Sequence, residues 1–381
     1  MKRFLVVTTV AIMVDHFLIP SIKMMQGKGY EVHVACNFEK GNPCSNERLQ
    51  QIKQKLDELG VKYFHVDFTR EITSVKENVI ACRQLSGLIN ENNYDIVHCH
   101  SPIAGVLTRF VCRKARKKGT KVLYTAHGFH FYKGAPLKNW FIYFSAELVC
   151  SCFTDVLITV NKEDYNLAKK RMHAKSIEYI PGVGIELSRF QNVKIDKNAK
   201  RKELAVPENA TVLLSVGEVN KNKNQEIVIR ALETIKDVYY VIAGDGELIG
   251  YLKELAKVVG VEARVLFLGY RTDVVELCKT ADIYVLPSKR EGLPVAVLEA
   301  MASGLPCVVS NIRGNKELIN EKGGVLFDPQ SIESCKAALN LILKSDLTKM
   351  SEYNKEKIKA FSEETVNEIM LEIYERNLIC S

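Results

Sequence analysis

DIYVLPSKREGLPVAVLEAMASG, residues 282–304, contains in order the signals of a strand, a turn and a helix. The apolar residues 283–286 predict a buried strand, and the polar residues 288–292 predict a turn. Pro294 follows, where its fixed φ and missing N–H suit the first position of a helix. Apolar residues then recur at helical spacing until Gly304, and residues 306–310 are apolar again. This order predicts a strand–turn–helix–strand unit of an α/β protein.

The turn in this segment has two features that indicate ligand binding. Leu293 precedes the predicted helix and cannot cap it, so the first helical N–H groups are expected to stay open to an anion. Lys289 and Arg290 add positive charge beside them. Glu291 and Glu299 bracket the turn, and two carboxylates directed at one ligand suit the hydroxyl groups of a sugar. A solvated turn with two surface glutamates remains the alternative.

The rest of the chain alternates apolar segments with amphipathic ones, which predicts two doubly wound parallel sheets. A polar, weakly periodic stretch at residues 186–209 separates the two halves. The predicted strands are residues 4–10, 31–35, 63–67, 96–99, 122–126 and 156–160 in the first half, and residues 212–216, 239–243, 265–268, 283–286 and 307–310 in the second.

Length and composition are those of a two-domain globular protein, with 381 residues, 47% hydrophobic and 26% charged. A formal net charge of +8 favours acidic partners such as nucleotides, phosphates or an anionic membrane surface, and no nucleic-acid-binding motif occurs. The 11 cysteines include no C-x-x-C pair and lie mostly in apolar runs. We therefore expect reduced thiols in a cytosolic protein.

The N-terminal apolar run, residues 4–14, follows two basic residues, as in a secretory signal peptide. Thr8 and Thr9 interrupt the run, Asp15 follows it, and no small-residue cleavage site is evident. We therefore expect the run to form the first buried strand of the sheet. No run reaches the ~20 apolar residues that a membrane-spanning helix needs.

Five of the eight histidines follow predicted strands, where parallel sheets bind their ligands. They are His16, His98, His100, His127 and His130. One interpretation is a metal site, since His98 and His100 lie on the same side of a strand, but no carboxylate or thiol completes a ligand set in sequence. The alternatives are a hydrogen-bonded interface and a polar cleft for a sugar.

The loop after residues 212–216 places Gly217 at a strand exit and Lys223 before a helix, with Asn224 as a candidate cap. A lysine there can neutralise a diphosphate, although a single loop lysine is more often solvated. Residues 244–246, with Gly250, give G-x-G-x-x-x-G rather than the dinucleotide pattern G-x-G-x-x-G. We interpret them as a tight turn.

The segment EGLPVAVLEAMASGLPCVVS, with Glu291 and Glu299 eight residues apart, resembles the signature of retaining glycosyltransferases of family 4. These enzymes have the GT-B fold, in which two Rossmann-like domains face each other across a cleft. The resemblance implies that Glu291 contacts the hydroxyls of the donor sugar and that Glu299 contacts the ribose. It also implies that the backbone at Gly292 and Leu293 faces the diphosphate and the sugar.

Other site residues are implied by the same resemblance. Gly217 and Lys223 correspond to the loop that meets the leaving diphosphate, and Arg271 corresponds to the region of the nucleotide base. The turn TAHG resembles the strand-end histidine motif of the family, so His127 is expected to meet the donor sugar near its reacting carbon. Glu291 and His127 are therefore the candidate catalytic residues. The acceptor side is expected to hold His16, His100 and His130.

Two departures from the family pattern concern the glycine-rich loops. No Gly-Gly pair follows the first strand, and Glu218 stands after Gly217 where the family usually has an arginine. The leaving-group contact then depends on Lys223, on Lys221 or on backbone N–H groups.

The domain ranges implied by the resemblance are residues 1–190 for the acceptor-binding domain and 191–362 for the nucleotide-sugar-binding domain. Residues 363–381 are expected to form a helix that crosses back to the first domain.

The segments YDIVHCH, KVLYTAHGFHFYKGAPLKNW and TDVLITVNKEDYNLAKKR resemble the exopolysaccharide and capsule branch of the family. The branch implies transfer of a sugar from a nucleotide-sugar, by default a UDP-sugar with GDP left open, to a lipid-linked acceptor of the undecaprenyl-diphosphate type or to a glycan. We expect a cytoplasmic enzyme, peripheral on the inner face of the cell membrane. No D-x-D motif occurs, and no cofactor or obligatory metal is expected.

Two other hypotheses remain open for this fold. The first is a sugar-nucleotide epimerase or hydrolase. The second is a non-catalytic nucleotide-sugar-binding subunit, which Glu218 favours.

Residues 103–118 predict a basic amphipathic helix. Its cations are Arg109, Arg113, Lys114, Arg116, Lys117 and Lys118. We expect its apolar stripe to face the core and its basic cluster to make loose contact with an anionic membrane, since the implied acceptor is lipid-linked.

Overall fold

The computed structural model describes residues 2–42 and 44–379, and these form two units, each built on a parallel sheet. Unit 1 comprises the chain up to Val183 together with the residues from Val366 onward. Unit 2 comprises Gly184–Thr365. The chain thus leaves unit 1 once and returns to it within its last helix.

The sheet of unit 1 has the strand order β3-β2-β1-β4-β5-β6-β7, and all neighbours are parallel. Its strands are β1 Arg3–Val10, β2 Glu31–Asn37, β3 Lys62–His65, β4 Ile96–His100, β5 Lys121–Ala126, β6 Val156–Thr159 and β7 Ser176–Tyr179. β1 lies in the interior of the sheet and is buried along almost its whole length, as its unbroken apolar sequence predicts.

The sheet of unit 2 has the order β10-β9-β8-β11-β12-β13, again with parallel neighbours. Its strands are β8 Thr211–Val216, β9 Val238–Ala243, β10 Val265–Gly269, β11 Ile283–Leu286, β12 Cys307–Ser310 and β13 Gly324–Phe327. Two apolar clusters cover the two faces of this sheet, which is the usual arrangement of a parallel sheet between helices.

Helices connect the strands in both units. The α-helices are α1 Ala11–Met13, α2 Ile19–Gly27, α3 Asn46–Glu58, α4 Val75–Asn92, α5 Pro102–Val111, α6 Arg113–Lys117, α7 Leu137–Asn139, α8 Ser145–Ser151, α9 Lys162–Arg171, α10 Ser188–Gln191, α11 Lys197–Glu203, α12 Glu226–Ala231, α13 Ile249–Val259, α14 Val274–Thr280, α15 Val295–Ala302, α16 Asn315–Leu318, α17 Ile332–Ile342, α18 Leu347–Lys357 and α19 Glu363–Tyr374. Turns of π-helix follow three of them, at Val14–Leu18, Trp140–Phe144 and Glu375–Ile379, and turns of 3-10 helix lie at Leu232–Thr234, Glu262–Arg264 and Ile358–Phe361.

The strand order of each sheet reverses at one place, between β1 and β4 in unit 1 and between β8 and β11 in unit 2. The loops that leave two such strands diverge, which opens a crevice at their carboxyl ends. The candidate residues Gly217, Lys223 and Glu291 lie in the loops after β8 and β11, and His100 ends β4. The topology therefore assigns these sequence motifs to the positions where α/β folds bind ligands.

The basic helix expected over residues 103–118 is divided in two, because α5 ends at Val111 and α6 begins at Arg113. The interpretation of Arg109 as a surface cation was wrong. Arg109 has no exposed surface, and its Nη1 donates to Glu147 Oε2 at 2.8 Å. Its guanidinium also lies 3.9 Å from the centre of the Tyr124 ring, so this charge stabilises the interior of unit 1.

Within the described residues, no helix combines the length and the apolarity that crossing a membrane would require. The ten cysteines in this part of the chain are unbridged, and most of them are buried.

Candidate functional site

In unit 2, Lys223 and Glu291 come together at the switch point of the sheet. Lys223 Nζ lies 2.8 Å from Glu291 Oε1, and both side chains are largely shielded, with 21% and 14% of their surface exposed. A Cβ added to Gly217 would lie 3.5 Å from Lys223 Cε. Three residues that the sequence predicted for one site, on two different loops, are therefore neighbours.

One backbone and one side-chain hydrogen bond hold the two loops in this arrangement. The Lys289 N–H donates to the Asn222 carbonyl at 2.8 Å, and the Asn222 side-chain amide donates to the Arg290 carbonyl at 3.0 Å. These bonds fix the separation of the β8 and β11 loops independently of the Lys223–Glu291 ion pair.

Asn224 does not cap the following helix, so that prediction was wrong. α12 begins at Glu226 after Gln225 and has no side-chain cap. Asn224 is buried in a left-handed conformation, with φ +58, and its amide donates to the carbonyls of Pro287 and Pro329. A buried amide needs hydrogen-bond acceptors, and these two carbonyls supply them. The Asn224 side chain thus joins the β8 loop to two neighbouring loops.

Gly244 and Gly246 keep the β8 loop in place through close approach of the backbone. A Cβ at Gly244 would lie 1.8 Å from the Gly217 carbonyl oxygen, and one at Gly246 would lie 2.2 Å from the Val219 carbonyl oxygen. The glycines of the G-x-G-x-x-x-G segment therefore have a structural role, since only glycine allows the β9 and β8 loops to pack so closely.

The helix α15 begins at Val295, one residue later than Pro294 suggested, and Pro294 is its N-cap. No side chain caps this helix, as Leu293 and Pro294 predict, so its first N–H groups lack a side-chain acceptor. Leu293 packs partly against the core, and Gly292 lies at the loop between β11 and α15. An uncapped helix start beside a lysine favours an anionic ligand.

Sequence reasoning missed two residues of the loop after β12. Arg313 is buried, and its Nε donates to the Glu291 carbonyl at 3.3 Å. A Cβ at Gly314, where φ is +76, would lie 2.3 Å from the Gly292 carbonyl oxygen. Both residues support the Glu291–Gly292 backbone. Their position could have identified them as candidates, because both closely follow a correctly predicted strand.

Glu299, the other carboxylate of the motif, is half-buried in α15. Within the described residues its carboxylate has no hydrogen-bond or ion-pair partner. Burial raises the pKa of Glu299, and the positive charge of Arg189 acts in the opposite direction. A shielded carboxylate without a partner is costly for the free protein, and a ligand hydroxyl would supply the missing donor.

The described side-chain contacts of Arg271 do not include Lys223, Glu291 or Glu299. Its guanidinium pairs with Asp273 and with Glu203. The contact with Arg271, followed by that with Lys200, holds the pKa of Asp273 well below its ordinary value. Glu218, which replaces the usual arginine of the family, is exposed, and its backbone carbonyl accepts from the Gln225 amide at 3.1 Å.

In unit 1, the histidines at the ends of β4 and β5 form a row. His100 Nδ1 lies 3.3 Å from His127 Nε2. His98 lies between Tyr374 and Thr125, with its two ring nitrogens 2.8 Å from each hydroxyl, and its ring centre is 4.2 Å from that of His100.

Removal from water lowers the pKa of each of these rings. The pKa of His98 falls to about 3 and that of His127 to about 4, and the pKa of His100 is also well below its ordinary value. The row is therefore uncharged near neutral pH.

The two remaining acceptor-side candidates are in different surroundings. The His130 ring stacks on Tyr143 with centres 4.6 Å apart, and its carbonyl accepts from the Asn139 amide at 2.9 Å. His16 is exposed in the π-helical turn after β1. The neighbouring Phe17 ring lies 6.5 Å from the His127 ring, so the β1 and β5 exits are close.

No group of three or more His, Cys, Asp or Glu side chains in residues 2–42 and 44–379 is arranged to hold a metal ion. His98 and His100 in particular are engaged by Tyr374, Thr125 and His127. The chemistry that the described side chains offer is hydrogen bonding by neutral imidazoles in unit 1. In unit 2 it is a lysine, two carboxylates and an open helix start.

Two family models match the chain, one within each unit. Residues 7–161 match the family described as "Glycosyl transferase 4-like", and residues 196–360 match "Glycosyl transferases group 1". A Bacillus subtilis (strain 168) protein assigned as glycosyltransferase EpsD is 36% identical over 98% of this chain and 96% of its own length.

An Escherichia coli protein named UDP-Gal:alpha-D-GlcNAc-diphosphoundecaprenol alpha-1,3-galactosyltransferase is 34% identical over 73% of this chain and 74% of its own length. Among solved structures, Anabaena Alr3699/HepE in complex with UDP and glucose superimposes with a TM-score of 0.80 at 18% identity, covering 99% of this chain and 100% of that one. This last similarity concerns the fold.

Proposed function

The chain belongs to the GT-B glycosyltransferases of the family 4 type, and we propose that it moves a sugar from a UDP-sugar, with retention of the anomeric configuration, to a lipid-linked or glycan acceptor. The acceptor class is a sugar on undecaprenyl diphosphate, used in exopolysaccharide or capsule synthesis at the inner face of the cell membrane. The name of the Escherichia coli relative, which contains both UDP-Gal and a diphosphoundecaprenol-linked sugar, supports this donor class and this acceptor class.

The observation that carries the proposal is the Lys223–Glu291 pair at the switch point of unit 2, with Glu299 nearby in sequence and without a partner of its own. Lys223 supplies positive charge for the leaving diphosphate, and the uncapped start of α15 supplies backbone N–H groups. Glu291 then accepts hydrogen bonds from donor sugar hydroxyls, and Glu299 accepts from the ribose.

Leaving-group stabilisation depends more on Lys223 in this chain than in relatives with an arginine after the glycine, because Glu218 is acidic. The ion pair with Glu291 holds the ammonium in place before the donor arrives, which lowers the entropy cost of binding it. Gly217, Gly292 and Leu293 contribute backbone groups. Arg271 lies in the base region, where its pairs with Asp273 and Glu203 leave recognition to the backbone.

In unit 1 the neutral His127 ring provides one hydrogen-bonding nitrogen for the donor sugar near the reacting carbon, and His100 fixes the other nitrogen. His16, His100 and His130 belong to the acceptor side. Transfer proceeds without an obligatory metal or cofactor, because Lys223 and the helix start carry the charge of the diphosphate.

Donor binding is tested first by thermal shift against a panel of nucleotides and nucleotide-sugars. A ligand at about 100 times its Kd stabilises a protein by about 2.7 kcal/mol, which such an assay detects. We expect a shift with UDP and one UDP-sugar that Glu299→Ala abolishes, while Glu321→Ala, a change at an exposed glutamate, keeps it. A shift confined to GDP compounds, or one unaffected by Glu299→Ala, contradicts the donor assignment.

Transfer is then measured with that donor and a membrane lipid extract, with the anomeric configuration of the product read by NMR. We expect retention, and undiminished rates in EDTA. Turnover of donor without acceptor would instead favour the epimerase or hydrolase hypothesis. Donor binding without turnover in any extract would favour the binding subunit. Loss of activity in EDTA that Mg²⁺ or Mn²⁺ restores would contradict metal-free transfer.

A further inference from the structure

One helix of unit 1 is apolar on both of its sides. α7, the π-helical turn Trp140–Phe144 and α8 are continuous and span residues 137–151. The inner side packs Trp140, Tyr143, Phe144 and Leu148 against the core of unit 1. The outer side exposes Leu137, Phe141, Ile142 and Val149, with 87% and 81% of Leu137 and Phe141 accessible. A surface helix normally has polar residues on its outer side, so the exposed apolar side chains of this helix indicate a surface that binds a partner.

The apolar outer side extends onto α5. α5 packs against α8 through the Arg109–Glu147 pair, and Phe110, the residue next to Arg109, is half exposed. The Arg113 guanidinium lies 3.7 Å from the centre of the Phe110 ring. We call Leu137, Phe141, Ile142, Val149 and Phe110 together the apolar face.

Basic residues far outnumber acidic ones in the segment of the chain that carries the apolar face. Between residues 101 and 153 the basic residues are Arg109, Arg113, Lys114, Arg116, Lys117, Lys118, Lys121, Lys133 and Lys138, whereas Glu147 is the one acidic residue. Glu147 is buried and neutralised by Arg109. Arg116 Nη1 donates to the Cys152 carbonyl at 3.2 Å, which places α6 at the end of the apolar face. Arg116 itself is paired with Asp155 at 2.9 Å, so the exposed cations there are Arg113, Lys114, Lys117 and Lys118.

We propose that the apolar face, with its basic border, docks unit 1 on an anionic lipid bilayer. Exposed aromatic and aliphatic side chains enter the boundary of the acyl chains, and the lysines and arginines contact lipid phosphates. The charge distribution selects this partner. A second copy of the chain would bring one basic border against another, whereas an anionic bilayer is complementary over the whole surface.

The docking helix is linked to the candidate acceptor side. Its Tyr143 stacks on His130, and its Asn139 donates to the His130 carbonyl. The loop after β5, which also carries His127, is therefore packed on the inner side of the helix whose outer side meets the lipid. This link deepens the proposed function and rests on it, since a lipid-linked acceptor requires the acceptor side to lie close to the bilayer.

Vesicle binding by the full chain, without donor or acceptor, tests the docking surface. The probe is phosphatidylcholine vesicles with and without phosphatidylglycerol, and Trp140, the single tryptophan, is the reporter. We expect binding to the anionic vesicles and quenching of Trp140 by brominated lipid. Leu137→Asp with Phe141→Asp is expected to weaken binding about tenfold or more, because two apolar side chains no longer leave water.

The matched control is Val258→Asp, at an equally exposed valine in unit 2 (85%), which is expected to bind vesicles like the wild type. Equal vesicle binding by the double variant, or no binding by the wild type, overturns the proposal. A wild-type dimer that the double variant dissociates also overturns it, and identifies the face as a self-association surface. Transfer to a short-chain, water-soluble acceptor separates the two proposals, because a docking variant retains it even when vesicle binding is lost.

Discussion

The Lys223–Glu291 pair holds two opposite charges together at the candidate site of unit 2. Paired, the two charges neutralise each other in the free protein at 2.8 Å. The proposed transfer requires the lysine at the diphosphate and the glutamate at the sugar. The pair is therefore a preorganised source of two opposite charges, and its members act as a unit rather than as independent contributors.

Lys223→Met is expected to lower kcat about 10²–10³-fold, because developing charge on the leaving group loses its cation. Glu291→Gln is expected to have an effect of similar size. The double variant Lys223→Met with Glu291→Gln is expected to be little worse than the poorer single variant, since each single change already disables the pair. Steady-state kinetics at saturating donor measures this, with Lys236→Met, at an exposed lysine, as the control. Independent, multiplying losses would show that the pair does not act as a unit.

The contact between His100 and His127 couples the tautomers of the two rings. Both rings are neutral, so one nitrogen of the Nδ1–Nε2 contact must donate and the other must accept. We expect ¹⁵N NMR to find a single tautomer of His127 in the wild type and a mixture in His100→Leu. Thr69→Val, at a hydroxyl elsewhere in unit 1, is the control. A mixed population in the wild type would contradict the assigned role of His100.

At the scale of elements, the eleven strands predicted from sequence are present within a few residues, because buried parallel strands have continuous apolar runs. β7 and β13 were missed. Both are four-residue edge strands, and β13 begins at Gly324, directly after Gly323, so that its start resembles a turn. The site motifs were found because they follow strands. Arg313 and Gly314 also follow a predicted strand, but no local pattern encodes their contacts with Glu291 and Gly292.

The helix at residues 137–151 was missed for a related reason. Its apolar residues occur on all sides, so the sequence lacks the amphipathic periodicity that identifies a surface helix. The sequence placed membrane contact on residues 103–118 instead. Arg109 there is interior, and that error arose because a charged residue in a basic cluster gives no local sign of burial.

Gly244→Ala tests the packing of the β9 loop against the β8 loop. The added Cβ would lie 1.8 Å from the Gly217 carbonyl, so the β8 loop must move, and we expect a loss of about 3 kcal/mol or more in the free energy of unfolding. Donor-induced thermal shifts are expected to disappear as well. Gly250→Ala, six residues later in α13 with open space around it, is expected to stabilise by about 0.5–1 kcal/mol. Urea unfolding measures both, and equal effects would refute the close-approach argument.

For the whole molecule, the histidines are distributed unevenly between the two units. All eight lie before residue 184, and therefore in unit 1, whereas Gly184–Thr365 contains none. His98 and His100 are buried and His127 is half-buried, and the pKa of each ring lies far below 6.5. In unit 2 burial raises the pKa of Glu299, and charge pairing lowers the pKa of Asp273. Unit 2 contains no histidine, and its aspartates are ionised in both states above about pH 5, so between pH 6.5 and about pH 5 we expect unit 1 to lose stability and unit 2 to keep it.

The sign follows from proton binding. Below pH 6.5 the unfolded chain takes up protons on these histidines, while the native rings stay neutral until about pH 4 for His127 and about pH 3 for His98. Unit 1 is fully stabilised above pH 6.5 and is destabilised as the pH falls. The loss amounts to roughly 1.5 kcal/mol per histidine by about pH 5. The raised pKa of Glu299 means that native unit 2 binds a proton more readily than the unfolded chain, so acid stabilises it slightly.

Urea unfolding followed by Trp140 emission reports on unit 1, and hydrogen exchange of peptides from residues 211–310, corrected for the intrinsic effect of pH, reports on unit 2. From pH 6.5 to about pH 5 we expect the Trp140 midpoint to fall and the protection of unit 2 not to fall. His98→Gln keeps hydrogen-bonding groups towards Tyr374 and Thr125 but cannot titrate, so it is expected to reduce the pH slope by one histidine's share. A Trp140 midpoint that does not change with pH would mean that the histidine row titrates as it does in water. The neutral His127 on which the proposed sugar contact depends would then be lost as well.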